Sequence, residues 1–123
     1  MSFAVTDAVS QVLASALDGV ALRQRVTADN IANVDTPGFR ATSVDFETQL
    51  KAAISDGSFT EGPGPDSVTA TTVPTDTPVG ANGNNVDLRK ETMAAVQSQF
   101  QYQILTRAVT ERFDLVKTAA AGM

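Results

Sequence analysis

From Val9 the apolar residues fall at Val9, Leu13, Ala16 and Val20, in alternating steps of four and three, and the same phase returns at Thr27 and Val34. Spacing of this kind predicts a helix with a near-heptad apolar stripe. Leu22, Val26 and Ile31 widen the stripe, while Asp18, Arg23, Arg25 and Asp29 stay off it, and Gln24 and Thr27 dilute it. The expected helix runs from about Asp7 to about Asn33, roughly 40 Å at ~1.5 Å per residue. A second helix is predicted from Asp87, a good N-cap residue, almost to the end of the chain. Its stripe passes through Met93, Val96, Phe100, Ile104, Ala108 and Leu115, and Leu105, Val109, Phe113 and Val116 form an adjoining face. Two apolar faces on one helix exceed what a single partner helix covers.

Between the helices, "DFETQLKAAI" (45–54) puts Phe46, Leu50 and Ile54 at four-residue spacing, with Glu47 and Lys51 placed for an ion pair. This predicts a short amphipathic helix capped by Asp45 and stopped by Ser55-Asp56-Gly57. From Asp56 to Asn85 the chain holds four of its five prolines and five of its eight glycines. That stretch buries too little to offset its ordering entropy, so it is expected to be mobile. Within it, "SVTATTV" (67–73) has the β-branched content of a strand and is followed by Pro74 and Pro78, which suits an edge hairpin or an extended loop. The resulting fold is mainly α. Long N- and C-terminal helices pair as an antiparallel coiled coil, joined by a short amphipathic helix and a Pro/Gly-rich loop or small β-hairpin. The whole of 1–123 is one domain, divided into an N-terminal helix (1–34), a turn and short helix (35–55), a flexible linker (56–85) and a C-terminal helix (86–123).

Composition narrows the function. The formal net charge is −5 with the basic residues thinly spread, which offers no footprint for nucleic acid. Histidine and cysteine are both absent, removing the commonest general base, the thiolate nucleophile and the usual zinc ligands. Asp29, Asp35 and Asp45 are close in sequence, but Asp35 reads as a turn residue and Asp45 as a cap. "GANGNN" (80–85) lacks the spacing and the lysine of a phosphate loop and reads as a flexible lead-in. Neither a catalytic residue nor a cofactor, metal or small-molecule substrate is expected. Ala14-Ser15-Ala16 has the small residues of a cleavage site, yet no Lys or Arg precedes it and polar residues interrupt the apolar run, so a helix start is the better reading.

"ADNIANVDTPGFRA" (28–41) reads as a stop followed by a turn. Pro37 lacks an amide hydrogen and disfavours the helical region at Thr36. Asn33 is expected as a left-handed helix terminator, and Thr36-Pro37-Gly38-Phe39 as a type II turn. The same residues, Asn30, Ala32, Asn33, Thr36, Pro37, Gly38 and Phe39, together with "VDFETQL" (44–50) and "GNNVDLRKETM" (83–93), resemble the bacterial flagellar rod and hook protein family, and the short length points to its proximal rod members. The resemblance implies a structural subunit of the basal-body rod that leaves the cell through the flagellar type III export apparatus without a cleaved signal peptide and assembles in the periplasm. It also implies terminal helices that are loosely ordered before assembly. Implied partners are further copies of the chain, other rod proteins, the ring or adaptor at the rod base, and the export apparatus. Phe46 and Leu50 match a pattern by which such proteins dock at the export gate. The assembly faces would be carried by Val9, Leu13, Val20, Ile31, Val96, Phe100, Ile104, Leu105, Val109 and Phe113. The competing reading from another class is a soluble coiled-coil adaptor or export chaperone that binds a partner helix.

Overall fold

A computed structural model describes residues 3–59 and 70–122, with side chains from Ala8 onward. In chain order the elements are α1 (Phe3–Ala32), β1 (Thr42–Asp45), α2 (Glu47–Ser55), β2 (Thr71–Pro74) and α3 (Leu88–Ala121). Helix α1 is described from Phe3, ahead of the expected Asp7, and no proline or glycine before Asp7 stops it. Helix α3 starts as its sequence indicates: the Asp87 carboxylate accepts the Lys90 N–H at 3.2 Å. The two long helices run antiparallel. Asn33, past the end of α1, meets Asn84 ahead of α3, and Arg23 in mid-α1 reaches Gln101 in α3.

The core lies where α1, β1 and α3 meet. Ala16, Val20, Val44 and Phe46 are buried there, and Leu22, Val26, Leu50 and Leu105 pack around them. The α1 stripe therefore faces inward at Leu13, Ala16, Val20 and Thr27, and Val34 just past the helix is half-buried, while Val9, toward the open end, is partly exposed. Phe46 enters through a local vacancy. Gly19 is buried directly beneath its ring, and a Cβ on that glycine would stand 2.4 Å from the Phe46 Cγ.

Of its two apolar faces, helix α3 turns to α1 a side made largely of its smaller residues. Glu91 and Ser98 are buried, and Ala94, Ala95, Leu105, Ala108 and Val109 are half-buried. Small residues let the two helices approach closely, and Ser98 is satisfied within its own helix, its hydroxyl donating to the Ala94 carbonyl at 2.8 Å. Met93, Val96, Phe100, Ile104 and Leu115 consequently point outward.

The strands correct the expectation of a local hairpin. β2 pairs antiparallel with β1, Thr42 opposite Pro74 and Asp45 opposite Thr71, so its partner lies on the far side of α2 in sequence. Pro74 is tolerated because it sits at the end of the ladder in an edge strand. Residues 67–69 of the expected strand lie outside the described residues. Asp45 ends β1, although its carboxylate still accepts the Thr48 N–H at 3.5 Å, as a cap would. Glu47 pairs with Arg23 at 2.6 Å and not, as its spacing suggested, with Lys51; α1 brings a guanidinium closer than the next turn of α2 brings an ammonium.

Candidate functional site

The stop-and-turn after α1 is the most heavily hydrogen-bonded irregular region among the described residues. Asn30 is 1% exposed. Its Nδ2 donates to the Thr42 carbonyl at 2.7 Å and its Oδ1 accepts the Thr42 N–H at 3.3 Å, so one side chain imitates a neighbouring strand and fixes the start of β1 against α1. Ala32 is the last residue of α1. Asn33 ends the helix by a route other than the expected one: no described residue except glycine has positive φ. Its Nδ2 reaches back to the Asp29 carbonyl at 2.8 Å while its Oδ1 accepts the Thr36 hydroxyl at 3.1 Å. The side chain thus supplies the partners that a left-handed residue would have supplied through the backbone.

The second half of the motif forms the expected turn. Phe39 N–H donates to the Thr36 carbonyl at 3.2 Å, and Gly38 has φ 75°. Pro37 presets the first torsion and glycine supplies the second, as a type II turn requires.

What holds the turn comes from far along the chain. Gly38 N–H donates to the Asn82 carbonyl at 2.9 Å, and Asn85 N–H donates to the Phe39 carbonyl at 3.2 Å. Asn84 is buried, and its Nδ2 donates to two carbonyls, those of Asn33 and Thr36, each at 2.8 Å. Its Oδ1 accepts the Val86 N–H at 2.7 Å. Asn85, also buried, accepts the Ala41 N–H at 2.6 Å and donates to the Thr77 carbonyl at 3.3 Å. Gly83, at φ 79°, lets the two backbones touch: a Cβ there would stand 3.2 Å from the Gly38 Cα. The stretch that reads as a flexible lead-in is instead the clamp on the turn. Its signal in sequence is the pair of amides just ahead of a helix cap, since adjacent asparagines can satisfy several stranded carbonyls at once.

A second junction sits midway along α1. Arg23 donates to the Val44 carbonyl at 2.8 Å, to Glu47 at 2.7 Å and to Gln101 at 3.1 Å, and its guanidinium lies 4.8 Å from the centre of the Phe46 ring. One planar fork thereby links α1, β1, α2 and α3. Sequence spacing marked Arg23 only as a residue off the stripe. Phe46 is buried under it and Leu50 is half-buried beside it, so the folded chain covers both. Of the remaining face residues, Leu13, Ile31, Leu105 and Val109 are half-buried and Val20 is buried, whereas Val96, Phe100, Ile104 and Phe113 are exposed.

Among the described residues no three carboxylates gather as a metal site. The Asp56 carboxyl is held below its usual range by the hydroxyl and then the backbone N–H of Ser58, a local turn at the end of α2.

A family model described as flagella basal body rod protein matches residues 11–40, the span from α1 through the turn. The flagellar basal body rod protein FlgB of Bacillus subtilis is 34% identical over 119 residues, covering 91% of this chain and 92% of its own. The chain belongs to the FlgB family of flagellar basal body rod proteins. FlgB of Borreliella burgdorferi is 33% identical over 113 residues (79% of this chain, 84% of its own), and FlgB of Escherichia coli is 32% identical over 120 residues (85% and 86%). The FlgB family is structural, so the chain is a component of the basal-body rod and not an enzyme. Among the described residues no helix is long and apolar enough to cross a membrane.

Proposed function

We propose that this FlgB-family chain is a subunit of the proximal rod, delivered through the flagellar type III export apparatus and polymerised in the periplasm to transmit torque. The outward stripe of Met93, Val96, Phe100, Ile104 and Leu115 on α3 carries the reading. A structural subunit needs apolar surface that its own chain leaves uncovered, and a monomer working alone would pay for that surface in solubility. Its partners are further copies of the chain, neighbouring rod proteins and the ring or adaptor at the rod base.

On this reading α1 and α3 wind as a coiled coil only once neighbours cover the stripe, because long helices without such cover are marginal in water. Phe46 and Leu50 dock at the export gate while the chain is unfolded and enter the core afterwards. The Asn30–Phe39 joint sets the angle at which β1 and α2 leave the helix pair. Circular dichroism across protein concentration tests this, with helicity expected to rise as subunits associate. A concentration-independent fold with sharp unfolding, in a chain that stays in the cytoplasmic fraction, would favour a reversible adaptor instead.

A further inference from the structure

We infer that the Asn82–Gly83 bond is a site of spontaneous covalent modification, cyclisation with loss of ammonia, which the clamp suppresses in the folded chain and which disables the clamp once it has happened. Of the chain's five asparagines, Asn82 alone precedes a glycine; the others precede Ile31, Val34, Asn85 and Val86. The chemistry is attack by the backbone nitrogen of the following residue on the side-chain carbonyl carbon. A glycine in that place leaves the nitrogen unobstructed and its torsions free. The Gly83 nitrogen bonds to Asn82 Cγ, the Cγ–Nδ2 bond breaks, and Nδ2 departs as ammonia with the Gly83 amide proton. Water then opens the cyclic imide at either carbonyl, and nothing is oxidised or reduced.

Asn82 is exposed, so burial does not keep water from it. The fold holds the reacting peptide unit by both of its ends instead. Its carbonyl accepts the Gly38 N–H at 2.9 Å, and its N–H donates to the Gly80 carbonyl at 3.0 Å. The Asn82 side-chain oxygen in turn accepts the Asn84 N–H at 3.2 Å. An imide nitrogen carries no hydrogen, so the ring cannot close until the bond to Gly80 opens, and the bond from Gly38 resists rotation of the same peptide plane.

The two products differ in what they leave of the clamp. Opening the imide at the side-chain carbonyl gives an aspartate in an ordinary backbone. Opening it at the main-chain carbonyl gives isoaspartate: the chain then runs through Cβ and Cγ and is longer by a methylene. The oxygen that accepted the Gly38 N–H now belongs to a carboxylate off the main chain. A Cβ on Gly83 would already stand 3.2 Å from the Gly38 Cα, so the approach of the two backbones has no slack for the added length.

The full chain would be incubated at mildly alkaline pH in two states: in buffer, at a concentration where its helicity no longer rises, and in guanidinium chloride. Peptide mapping reads isoaspartate at position 82. Isoelectric focusing reads the added negative charge, which isomerisation at Asp18-Gly19 or Asp56-Gly57 does not produce. Modification is expected to be about tenfold slower in buffer, the factor set when a hydrogen-bonded turn is open about one-tenth of the time. Asn84→Ala loosens the clamp without altering the reacting pair, and should raise the rate in buffer several-fold while leaving the rate in denaturant unchanged. Arg23→Lys, which weakens the fold away from the clamp, should raise neither. Chains with isoaspartate at position 82, returned to buffer, should lack hydrogen-exchange protection at the Gly38 amide. Equal rates in buffer and denaturant, or the same response to Asn84→Ala and Arg23→Lys, would overturn the protective role of the clamp. Regained protection at Gly38 in the isoaspartyl chain would overturn its disabling, and an unmodified position 82 in denaturant would remove the site altogether.

Discussion

Gly38 and Asn84 answer two different demands at one joint. Gly38 has a positive φ and open space where a Cβ would go, so a side chain there is opposed by torsion and not by collision. Gly38→Val should destabilise by about 1–3 kcal/mol, the usual range for a residue held in a sparsely populated region. Motility in soft agar should fail while the chain is still exported, and normal swimming would refute this account of the turn. Asn84 acts by chemistry. Asn84→Ala strands the Asn33 and Thr36 carbonyls and should cost about 1–3 kcal/mol, read as a lowered denaturation midpoint. Loss of hydrogen-exchange protection should then spread to the Gly38 and Ala41 amides. A midpoint unchanged from the parent would mean that water replaces the clamp. Gly38 was legible from Thr-Pro-Gly because turn torsions are local. The role of Asn84 was not, since its partners lie about fifty positions away and no spacing rule joins them. Asn33 was half legible: the helix does end there, but a short amide can stop a helix either by its torsion or by its side chain, and sequence alone does not choose.

At the scale of the element, α1 holds a contradiction. Glycine inside a helix costs about 1 kcal/mol relative to alanine, and Gly19→Ala should therefore stabilise the chain on propensity alone. The added Cβ would stand 2.4 Å from the Phe46 Cγ, however, and overpacking of that kind costs about 1–3 kcal/mol. The packing term wins, and a lower melting temperature for Gly19→Ala is the expected result; a higher one would show that Phe46 has another seat. Arg23→Lys tests the neighbouring junction. The ion pair with half-exposed Glu47 is worth at most about 1 kcal/mol, so the larger loss should come from the Val44 carbonyl and Gln101, which a single ammonium cannot reach together with Glu47. Double-mutant cycles between Arg23 and Glu47 should show weak coupling. Periodicity revealed the stripe of α1 because helical burial repeats along the chain. It gave α3 two apolar faces without choosing between them; the side that meets α1 holds Leu105, Ala108 and Val109 together with Ala94, Ala95 and Ser98, because close helix approach favours small residues.

For the whole molecule, the proposed assembly surface on α3 can be tested apart from stability. Phe100 is 61% exposed, so Phe100→Ser should change folding stability by no more than about 0.5 kcal/mol. It should nonetheless weaken incorporation into basal bodies, which quantitative blotting of that fraction would register. Equal incorporation would remove the stripe from the assembly surface. The clamp on the turn has one more consequence, for the order in which the chain becomes itself. Residues 82–85 must arrive before residues 33–41 can be fixed, and closing a loop of that length carries an entropic penalty that grows with its logarithm. The N-terminal half therefore cannot set its own geometry early. A chain broken off before Gly83 would carry the whole turn motif yet have an unset joint, so the fold checks its own completeness and leaves a truncated subunit without the shape that its neighbours would accept.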